Sequence, residues 1–502
     1  MLGKISEIFF RFPNRNAFCI NSEYYTYYTF AKLVSKIRNY IQSNLDSSEK
    51  IIGVIANPEP EIETYGAIFG SLYSGRGYVP LNPMNPIQRN LEILEQSGIK
   101  TILCRKTNEK LNELAHKLRI NIIEISSLSE THINIELPNV DENEIAYILF
   151  TSGSTGTPKG VPITRKNLNS FIHAFYNLNL DVNENDRFLQ MFELTFDFSV
   201  VCYTIPLCLG ACIFTVPTEG IKFANIFSTL EENEITFACM VPTVLNYLKP
   251  YFEEIKLNKM KYSLFCGEIL YADIVKEWSN CTPNAKIINA YGPTEATVFC
   301  MTYNWNNKTS NKTYNGSVAI GKPMENINAI VIDENLKKIK TGAKGELCLS
   351  GNQLTNGYLN DSKKNEQSFF TFNIDGKEKI FYRTGDLAFV DKEGDFLFAG
   401  RKDNQIKIQG FRIELNEIEY FAREFTKVIN VKAISSIDKR GVTQIHLFVE
   451  NYSGNIEDIQ SYLLTKVPGY MIPSSITILK VFPLNGNGKI DKKKLISLTN
   501  KN

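Results

Sequence analysis

The stretch from Phe150 to Gly160 combines residue types that could bind an anion. It follows an apolar run, Ile145–Phe150, that indicates a buried strand. Glycine allows a ligand to approach the backbone closely, and successive hydroxyl and N–H donors form an anion-binding nest. The stretch therefore suits a polyphosphate, although its composition equally fits an ordinary connecting loop. The candidate anion-binding residues are Thr151, Ser152, Gly153, Ser154, Thr155, Gly156 and Lys159.

This loop is not a Walker A motif, because no hydroxyl residue follows Lys159. Around it, short apolar strands alternate with helical segments, which predicts a parallel sheet covered by helices. Two later apolar strands end in polar turns, at 266–268 and 292–295. Ligands bind at the carboxyl ends of strands in open α/β sheets. We therefore expect both turns and the glycine-rich loop to line one crevice.

Composition narrows the class of protein. The 502 residues predict roughly three or more domain-sized units of an ordinary globular protein. A net charge of +1 gives no sign of nucleic-acid binding. The ten cysteines and four histidines show no metal-binding spacing, so reduced thiols and a cytoplasmic location are expected. Neither a signal peptide nor an apolar run of 18 residues is present, so no membrane span is expected.

Asp197 lies inside an apolar, aromatic run, Phe196–Val200. Carboxylates are rarely buried unless they are paired. One interpretation is a helix N-cap for the apolar segment 200–209. The other is a counter-ion for the ammonium group of a ligand. The residues alone leave both open.

Five motifs together resemble the adenylate-forming enzymes, which include acyl-CoA synthetases, luciferases and peptide-synthetase adenylation domains. They are FTSGSTGTPKG at 150–160, NAYGPTE at 289–295, YRTGD at 382–386, GRKDNQIKIQGFRIE at 400–414 and PLNGNGKI at 483–490. The resemblance covers nearly the whole chain. It implies an α/β fold with a large N-terminal domain of helix-flanked sheets and a β-rich subdomain, residues 1–402. A hinge near Asp403 would lead to a small mobile C-terminal α/β domain, residues 403–502.

The resemblance also implies roles in binding ATP and Mg²⁺. The glycine-rich loop would hold phosphates, with Lys159 as its cation. Thr294 would contact the α-phosphate, Glu295 would bind Mg²⁺, and Lys489 would bridge the substrate carboxylate and the α-phosphate. Without the resemblance, Lys489 would be an exposed loop lysine. The adenosine would be held by Asn289 at the adenine edge, by Ala290, by Tyr291 stacked on the base, and by Asp386 and Arg401 at the ribose. Without the resemblance, Asp386 would suggest an Asx turn.

For the substrate, the resemblance favours an amino acid. In amino-acid-activating members an Asp in F-D-x-S holds the α-amino group, and here that residue is Asp197. Arg165 stands where many members have His and is expected to gate the pocket. The other pocket positions would be Phe198, Val201, Cys266, Gly267, Ala290, Val298 and Phe299, which predict a small apolar cavity.

The string around Cys266 most resembles the branch that ligates D-alanine to a carrier protein, in which a Cys favours the D-enantiomer. By itself, Cys266 would be a small core residue. The implied activity is ATP-dependent formation of aminoacyl-AMP, followed by transfer to the phosphopantetheine thiol of a carrier. The carrier must be a separate protein because the chain lacks an L-G-G-x-S signature. The region of Gly410 would line the path of the phosphopantetheine arm.

Three alternatives stay open. The first is a stand-alone peptide-synthetase-type ligase for another small or apolar amino acid. The second is an acyl-CoA synthetase, against which Asp197 argues. The third is a nucleotide-binding regulatory protein without catalysis, against which Lys489, Glu295 and Asp386 argue.

Overall fold

The computed structural model describes residues 1–153, 156–307, 309–485 and 490–499. Three candidate site residues, Ser154, Thr155 and Lys489, therefore lie outside the described residues. The predicted α/β class is confirmed. The helices are α1 (Leu2–Arg11), α2 (Tyr27–Asn44), α3 (Ile62–Tyr73), α4 (Ile87–Ser97), α5 (Glu109–Leu118), α6 (Arg165–Tyr176), α7 (Phe198–Leu209), α8 (Lys222–Glu232), α9 (Thr243–Leu248), α10 (Ala272–Cys281), α11 (Ser362–Ser368), α12 (Leu415–Thr426), α13 (Ile456–Leu464) and α14 (Lys492–Thr499).

The strands form two large sheets and several small ones. In chain order they are β1 (Asn16–Ile20), β2 (Glu23–Thr26), β3 (Ile51–Ile55), β4 (Gly77–Leu81), β5 (Thr101–Cys104), β6 (Asn121–Glu124), β7 (Ile145–Thr151), β8 (Lys159–Thr164), β9 (Arg187–Gln190), β10 (Cys212–Thr215), β11 (Phe237–Met240), β12 (Tyr262–Phe265), β13 (Lys286–Tyr291), β14 (Met301–Trp305), β15 (Thr313–Tyr314), β16 (Ser317–Val318), β17 (Lys322–Pro323), β18 (Ile327–Ile332), β19 (Gly345–Gly351), β20 (Phe369–Ile374), β21 (Lys377–Val390), β22 (Phe396–Arg401), β23 (Gln405–Ile408), β24 (Phe411–Glu414), β25 (Val431–Ile437), β26 (Thr443–Glu450) and β27 (Ser475–Leu479).

The two large sheets have the parallel cores that the sequence predicts. One has the strand order β6-β5-β3-β4-β7-β8, and only β8 runs antiparallel to its neighbour. The other has the order β17-β14-β13-β12-β11-β9-β10-β1-β2, with its central strands parallel. Parallel strands covered on both faces need continuous apolar runs, which these strands have. The largest core cluster packs α2, α3 and α7 against strands of both sheets.

The glycine-rich loop joins β7 to β8, and α6 follows directly. A capping box fixes the start of α6: the Thr164 hydroxyl accepts from the Asn167 N–H, and the Asn167 side chain accepts from the Thr164 N–H. The β7–β8 pairing continues to Thr151 and Lys159, so the two ends of the loop are held together.

The C-terminal part of the chain begins with the β23–β24 hairpin. A three-stranded sheet of β25, β26 and β27 follows, covered by α12, α13 and α14. This part has its own core, which includes Ile413, Ile418, Leu447 and Met471. Before it, β18–β22 form the β-rich sheet that was expected. The division at residues 402 and 403 stays a prediction.

Two elements lie in a segment for which no regular structure was predicted. Residues 105–144 have a polar and weakly patterned sequence, yet they contain α5 and β6. Leu111, Leu114 and Ala115 supply a short apolar stripe that packs into a small cluster beside the first sheet. This stripe is too short to stand out in the sequence. None of the helices in the described residues is long and apolar enough to span a membrane.

Candidate active site

The polar turns meet at the carboxyl ends of three adjacent parallel strands, β11, β12 and β13. A small cavity of about 30 Å³ lies there. Residues from the turns after β12 and β13 line it together with Asp197. The two turns share one crevice as expected, because parallel strands end at the same edge of a sheet, but no described residue of the glycine-rich loop lines this cavity.

Asp197 is buried in the wall of this small cavity. It occupies the N-cap position of α7, but its side chain accepts no capping hydrogen bond. Among the described residues, no cationic nitrogen lies within 4.0 Å of its carboxylate. Burial raises the pKa of Asp197 to about 6, although the Thr294 hydroxyl and the charge of Lys407 partly oppose this. Asp197 is therefore the N-cap residue of α7 by position, but its carboxylate does not cap the helix and is available to another partner.

The small cavity takes in most of the predicted substrate positions. Phe198, Cys266, Gly267 and Val298 line it with Asp197, and Ala290 lines the larger cavity next to it. Val201 and Phe299 do not line either cavity, because both are buried in the core cluster that contains Phe198.

Arg165 does not gate the pocket, contrary to the expectation. Its buried guanidinium donates to the backbone carbonyls of Leu72 and Arg76, at 3.0 and 3.2 Å. Burial lowers the pKa of Arg165 to about 10, and the charge of Glu144 opposes this. The side chain thus ties α6 to the end of α3 and is structural.

The larger cavity, about 660 Å³, adjoins the small one and has the size of a cofactor site. Asn289, Ala290, Tyr291, Asp386 and Arg401, the candidate adenosine-binding residues, all line it. The Tyr291 hydroxyl donates to one oxygen of Asp386 at 2.6 Å, and Arg401 pairs with the other. The Asp386 carboxylate is therefore turned into the cavity and does not form a local Asx turn.

Arg401 is also held by Asp403, the candidate hinge residue. Its Nε and Nη2 donate to the two carboxylate oxygens, each at 2.7 Å. One of these oxygens also accepts from the Gln405 N–H, at the start of β23. Asp403 thus connects a ribose-binding candidate to the hairpin, and its role as a hinge stays a prediction.

The described residues of the glycine-rich loop contact the C-terminal part of the chain. Ser152 Oγ donates to the carbonyl of Arg412 at 2.7 Å, and the Gly153 N–H donates to Glu417 at 3.1 Å. Lys159 lies 3.5 Å from Glu414. The loop donors therefore bind carboxylates and a carbonyl oxygen, which shows that they attract anions and acceptors.

Two further loop residues have specific environments. Gly156 has φ +85°, and a Cβ there would lie 2.9 Å from the ring of Tyr420, so both conformation and space favour glycine. The Thr151 hydroxyl is buried and has no hydrogen-bond partner among the residues that the structure describes.

Glu295, the candidate metal ligand, is completely buried. Arg412 donates to both of its oxygens, at 3.0 and 2.8 Å, and the Tyr358 hydroxyl donates at 2.6 Å. Burial by itself would raise the pKa of Glu295, but the Arg412 charge and the Tyr358 hydrogen bond lower it to about 2. The carboxylate is therefore ionised and already holds a cation.

The carboxylate of Glu295 suits Mg²⁺ by residue type, but Arg412 would have to leave its two oxygens before a metal ion could bind there. Mg²⁺ is usually bound by one or two carboxylates that are completed by phosphate oxygens and waters. The described residues contain no cluster of three His, Cys, Asp or Glu side chains that could hold a metal by itself. Glu295 together with a bound phosphate chain is the arrangement that matches this preference.

Several residues at the site received no role from the sequence. Lys407, Gln405 and Arg412 lie within the 400–414 motif and line the small cavity. Glu268 accepts from the Gly410 N–H at 3.1 Å, which links the hairpin to the turn after β12. For Lys407, Gln405 and Arg412, the only indication in the sequence was that they belong to the 400–414 motif. Arg89, which pairs with Glu417, had no signal at all.

These two cavities lie at the ends of parallel strands, beside a C-terminal hairpin that contacts the glycine-rich loop, and this fold and site are typical of a nucleotide-binding α/β enzyme. The family model described as AMP-binding enzyme matches residues 7–359, well over half of the chain. The chain belongs to this family. It is an adenylate-forming ligase of the type found in peptide-synthetase adenylation domains and carrier-protein ligases.

Individual relatives agree with this assignment. Zwittermicin A synthase ZmaJ of Bacillus cereus is 31% identical, covering 97% of this chain and 93% of its own length. D-alanine–D-alanyl carrier protein ligase of Bacillus licheniformis is 29% identical, with 96% of each chain covered. Tyrocidine synthase 1 of Brevibacillus parabrevis is 30% identical over 96% of this chain, which spans only 44% of that longer protein.

A solved structure shows the same fold. The adenylation domain AlmE of Vibrio cholerae, crystallised with glycyl-adenosine-5'-phosphate, superposes with a TM-score of 0.88. It is 25% identical, and the match covers 99% of this chain and 97% of that one.

Proposed function

We propose that this protein uses ATP and Mg²⁺ to convert a small amino acid, with D-alanine favoured, into aminoacyl-AMP and pyrophosphate. It then transfers the aminoacyl group to the phosphopantetheine thiol of a separate carrier protein. Asp197 carries the proposal: a buried carboxylate that forms no ion pair within 4.0 Å among the described residues faces a small cavity next to a nucleotide-sized one. An amino acid supplies the missing cation.

The size of the small cavity supports a small side chain. About 30 Å³ is room for roughly two water molecules. Phe198, Val298 and the Cys266 thiol bound this space, so an alanine methyl group fits its apolar surface better than a long or polar side chain does. The relatives support the same class, since AlmE was crystallised with a glycyl adenylate and another relative ligates D-alanine.

Adenylation brings two anions together, so positioning and charge neutralisation contribute most to the rate. In the larger cavity, Tyr291 and Asp386 would orient the adenosine. This orientation would direct the α-phosphate toward Thr294, which lines the neighbouring small cavity. Asp197 would orient the amino acid by its ammonium group. Mg²⁺ on Glu295 would supply charge neutralisation for the phosphates, and Lys159 would do so from the loop.

The hairpin supports the second half of the reaction. Gly410 lines the small cavity, and a Cβ there would lie 2.8 Å from Val241 and 2.9 Å from Phe196. With φ +87°, only glycine fits this close approach without strain. The close packing of Gly410 therefore brings the hairpin backbone to the wall of the small cavity, and on this side we expect a phosphopantetheine thiol to reach the aminoacyl carbonyl.

The test is amino-acid-dependent exchange of pyrophosphate into ATP, measured with a panel of D- and L-amino acids, fatty acids and aryl acids. We expect the highest kcat/KM with D-alanine and the next highest with glycine and L-alanine. The best acid is then tested for transfer to a phosphopantetheinylated carrier protein and to CoA.

Each alternative predicts a different result in this panel. Faster exchange with a larger amino acid would contradict the D-alanine assignment. Preference for a fatty or aryl acid with CoA as acceptor would identify an acyl-CoA synthetase. No exchange with any acid would favour a regulatory nucleotide-binding protein.

A further inference from the structure

The segment 355–359, between β19 and α11, joins two parts of the site that are far apart in the sequence. The Thr355 N–H donates to the backbone carbonyl of Glu295 at 2.8 Å. The Leu359 N–H donates to the carbonyl of Gly160, at the end of the glycine-rich loop, at 2.9 Å. The segment is therefore fixed at one end to the candidate metal ligand and at the other to the loop.

Tyr358, in the middle of this segment, received no role from the sequence. Its hydroxyl donates to Oε1 of Glu295 at 2.6 Å, and Lys159 Nζ lies 5.7 Å from the centroid of its ring. Both Tyr358 and Glu295 are buried. The side chain of Asn365 bonds both the N–H and the carbonyl of Tyr358, at 2.6 and 3.1 Å. A firmly held tyrosine thus contacts the candidate metal ligand and the loop cation together.

The two carboxylate oxygens of Glu295 have different partners. Oε1 accepts from Tyr358 at 2.6 Å and from Arg412 at 3.0 Å. Oε2 accepts from Arg412 at 2.8 Å and from no other side chain among the described residues. Arg412 would have to leave before a metal ion could bind, whereas Tyr358 is held by its own segment. Oε2 is then the oxygen that becomes free.

The number of free oxygens matters to the choice of metal ion. Mg²⁺ demands near-octahedral geometry with ligands at about 2.0–2.1 Å, whereas Ca²⁺ accepts flexible geometry and both oxygens of one carboxylate at about 2.3–2.6 Å. A carboxylate whose second oxygen is engaged in a hydrogen bond offers a single oxygen. Such a ligand suits Mg²⁺ better than Ca²⁺.

We propose, on the basis of the proposed function, that Tyr358 is a positioning residue that sets the preference for Mg²⁺. Its hydroxyl keeps Oε1 of Glu295 as a hydrogen-bond acceptor, so a metal ion would bind through Oε2 alone. Removing the hydroxyl frees Oε1 and allows both oxygens to bind one larger ion. Tyr358 therefore determines which divalent ion accompanies ATP in this site.

The experiment is calorimetric titration of ATP into the wild-type protein and Tyr358→Phe, without amino acid, in Mg²⁺, in Ca²⁺ and in EDTA. Changes to groups that orient a metal ligand typically weaken metal binding about 10- to 100-fold. We expect the Kd of magnesium ATP to rise about tenfold in the variant, with that of calcium ATP nearly unchanged. Departure of Arg412 is needed with either ion, so its cost cancels in the ratio of the two Kd values.

The titration in EDTA separates this role from a structural one. Without metal, the two proteins should bind ATP equally, because phenylalanine keeps the ring beside Lys159. Equal weakening with and without metal would overturn the proposal. An unchanged or larger preference for Mg²⁺ in the variant would also overturn it, and so would a wild-type protein that does not bind magnesium ATP.

Tyr382→Phe is the matched control. The Tyr382 hydroxyl is buried 3.2 Å from that of Tyr358 and makes no hydrogen bond to Glu295 among the described residues. The control should therefore keep the wild-type preference for Mg²⁺. Loss of the preference in both variants would contradict a specific role of Tyr358.

A second measurement needs no variant and decides the matter if Tyr358→Phe does not fold. It is a crystal structure of the wild-type protein with Mg²⁺ and α,β-methylene-ATP. We expect the metal ion on Oε2 of Glu295, with the Tyr358 hydroxyl still bonded to Oε1. A metal ion on Oε1, or on both oxygens, would contradict the proposal.

These measurements are independent of the amino acid that the protein activates. A protein that shows the expected metal preference but exchanges pyrophosphate with no amino acid would contradict the proposed function alone. A protein that activates D-alanine and has the same metal preference with and without the Tyr358 hydroxyl would contradict only the role of Tyr358.

Discussion

At the scale of single residues, the site depends on a carboxylate that costs folding free energy. Asp197 is buried without an ion pair among the described residues, and its pKa is raised mainly by this burial. An ammonium ligand would remove the cost by pairing with it. Such residues are candidates for function because the fold by itself gains nothing from their charge.

The first prediction concerns Asp197→Asn. We expect kcat/KM for the amino acid to fall by about 100-fold or more, because a buried partner of the ammonium group is lost. Melting temperature at neutral pH should stay equal or rise, since the variant no longer buries a charge. Asp273→Asn, at an exposed position on α10, is the control and should change neither quantity. Loss of activity with an equally large loss of stability would indicate misfolding instead.

The same residue predicts a pH dependence. The ionised form of Asp197 binds the ammonium group, and its pKa is raised to about 6. The kcat/KM of the wild-type protein should therefore decrease as the pH falls below about 6, and approach a tenfold loss per pH unit. Asp197→Asn should lack this limb of the profile. A wild-type profile that stays flat to pH 5 would contradict the assignment.

Cys266 carries the prediction on chirality. Its thiol lines the small cavity beside Gly267, which has φ +91°. Cys266→Ala enlarges this side of the cavity, so the ratio of kcat/KM for D-alanine to that for L-alanine should fall by about tenfold. Cys239→Ala is the matched control, because Cys239 is buried on β11 and does not line the cavity. An unchanged ratio would remove the argument for D-alanine.

At the scale of elements, the β23–β24 hairpin connects the two parts of the site. It places Gly410 at the small cavity and Arg412 at Glu295, and its start is held through Asp403 and Arg401. A change of backbone angles near Asp403 would move all of these groups at once. A hinge near Asp403 would therefore change the site from one suited to aminoacyl-AMP formation to one suited to transfer to the carrier.

The hinge is tested by Asp403→Pro, which restricts φ. We expect amino-acid-dependent pyrophosphate exchange to persist and transfer to the carrier to fall by at least tenfold. Asp403→Ala is the control, because it also removes the ion pair with Arg401 but leaves φ free. Equal losses of both half-reactions in Asp403→Pro, or equal transfer in the two variants, would contradict the hinge.

At the scale of the whole molecule, buried charges hold the C-terminal part against the rest. Arg89 on α4 pairs with Glu417 on α12 at 2.8 Å, and their exposed fractions are 5% and 0%. Such a pair contributes little against apolar replacements, but breaking it leaves an uncompensated buried charge. The pair therefore contributes more to fixing one docked arrangement of the C-terminal part than to the free energy of folding.

Arg89→Met should weaken this docking by roughly 3–5 kcal/mol. We expect faster hydrogen exchange in residues 405–426 and a larger radius of gyration by small-angle scattering. The double variant Arg89→Met/Glu417→Met should recover part of the docking, because no unpaired charge remains. Exchange and scattering identical to those of the wild-type protein would show that the pair does not hold the arrangement.

The sequence by itself determined the class of fold, most of the elements and the family. Apolar strands between helices and five glycine- and charge-rich motifs are local patterns, so they can be recognised without coordinates. The weak stripe of α5 was missed because only a few of its residues face a core. Likewise, local sequence could not separate an N-cap from a counter-ion at Asp197, since both readings require the same residue at the same place.

Only the tertiary structure decided which side chains meet. It showed that Arg165 braces two helices, that Val201 and Phe299 lie behind the cavity wall, and that Arg412 lies on Glu295. The physical reason is distance along the chain. Glu295 and Arg412 are 117 positions apart and Arg89 and Glu417 are 328 apart, so their pairing depends on how separate elements pack and leaves no local pattern.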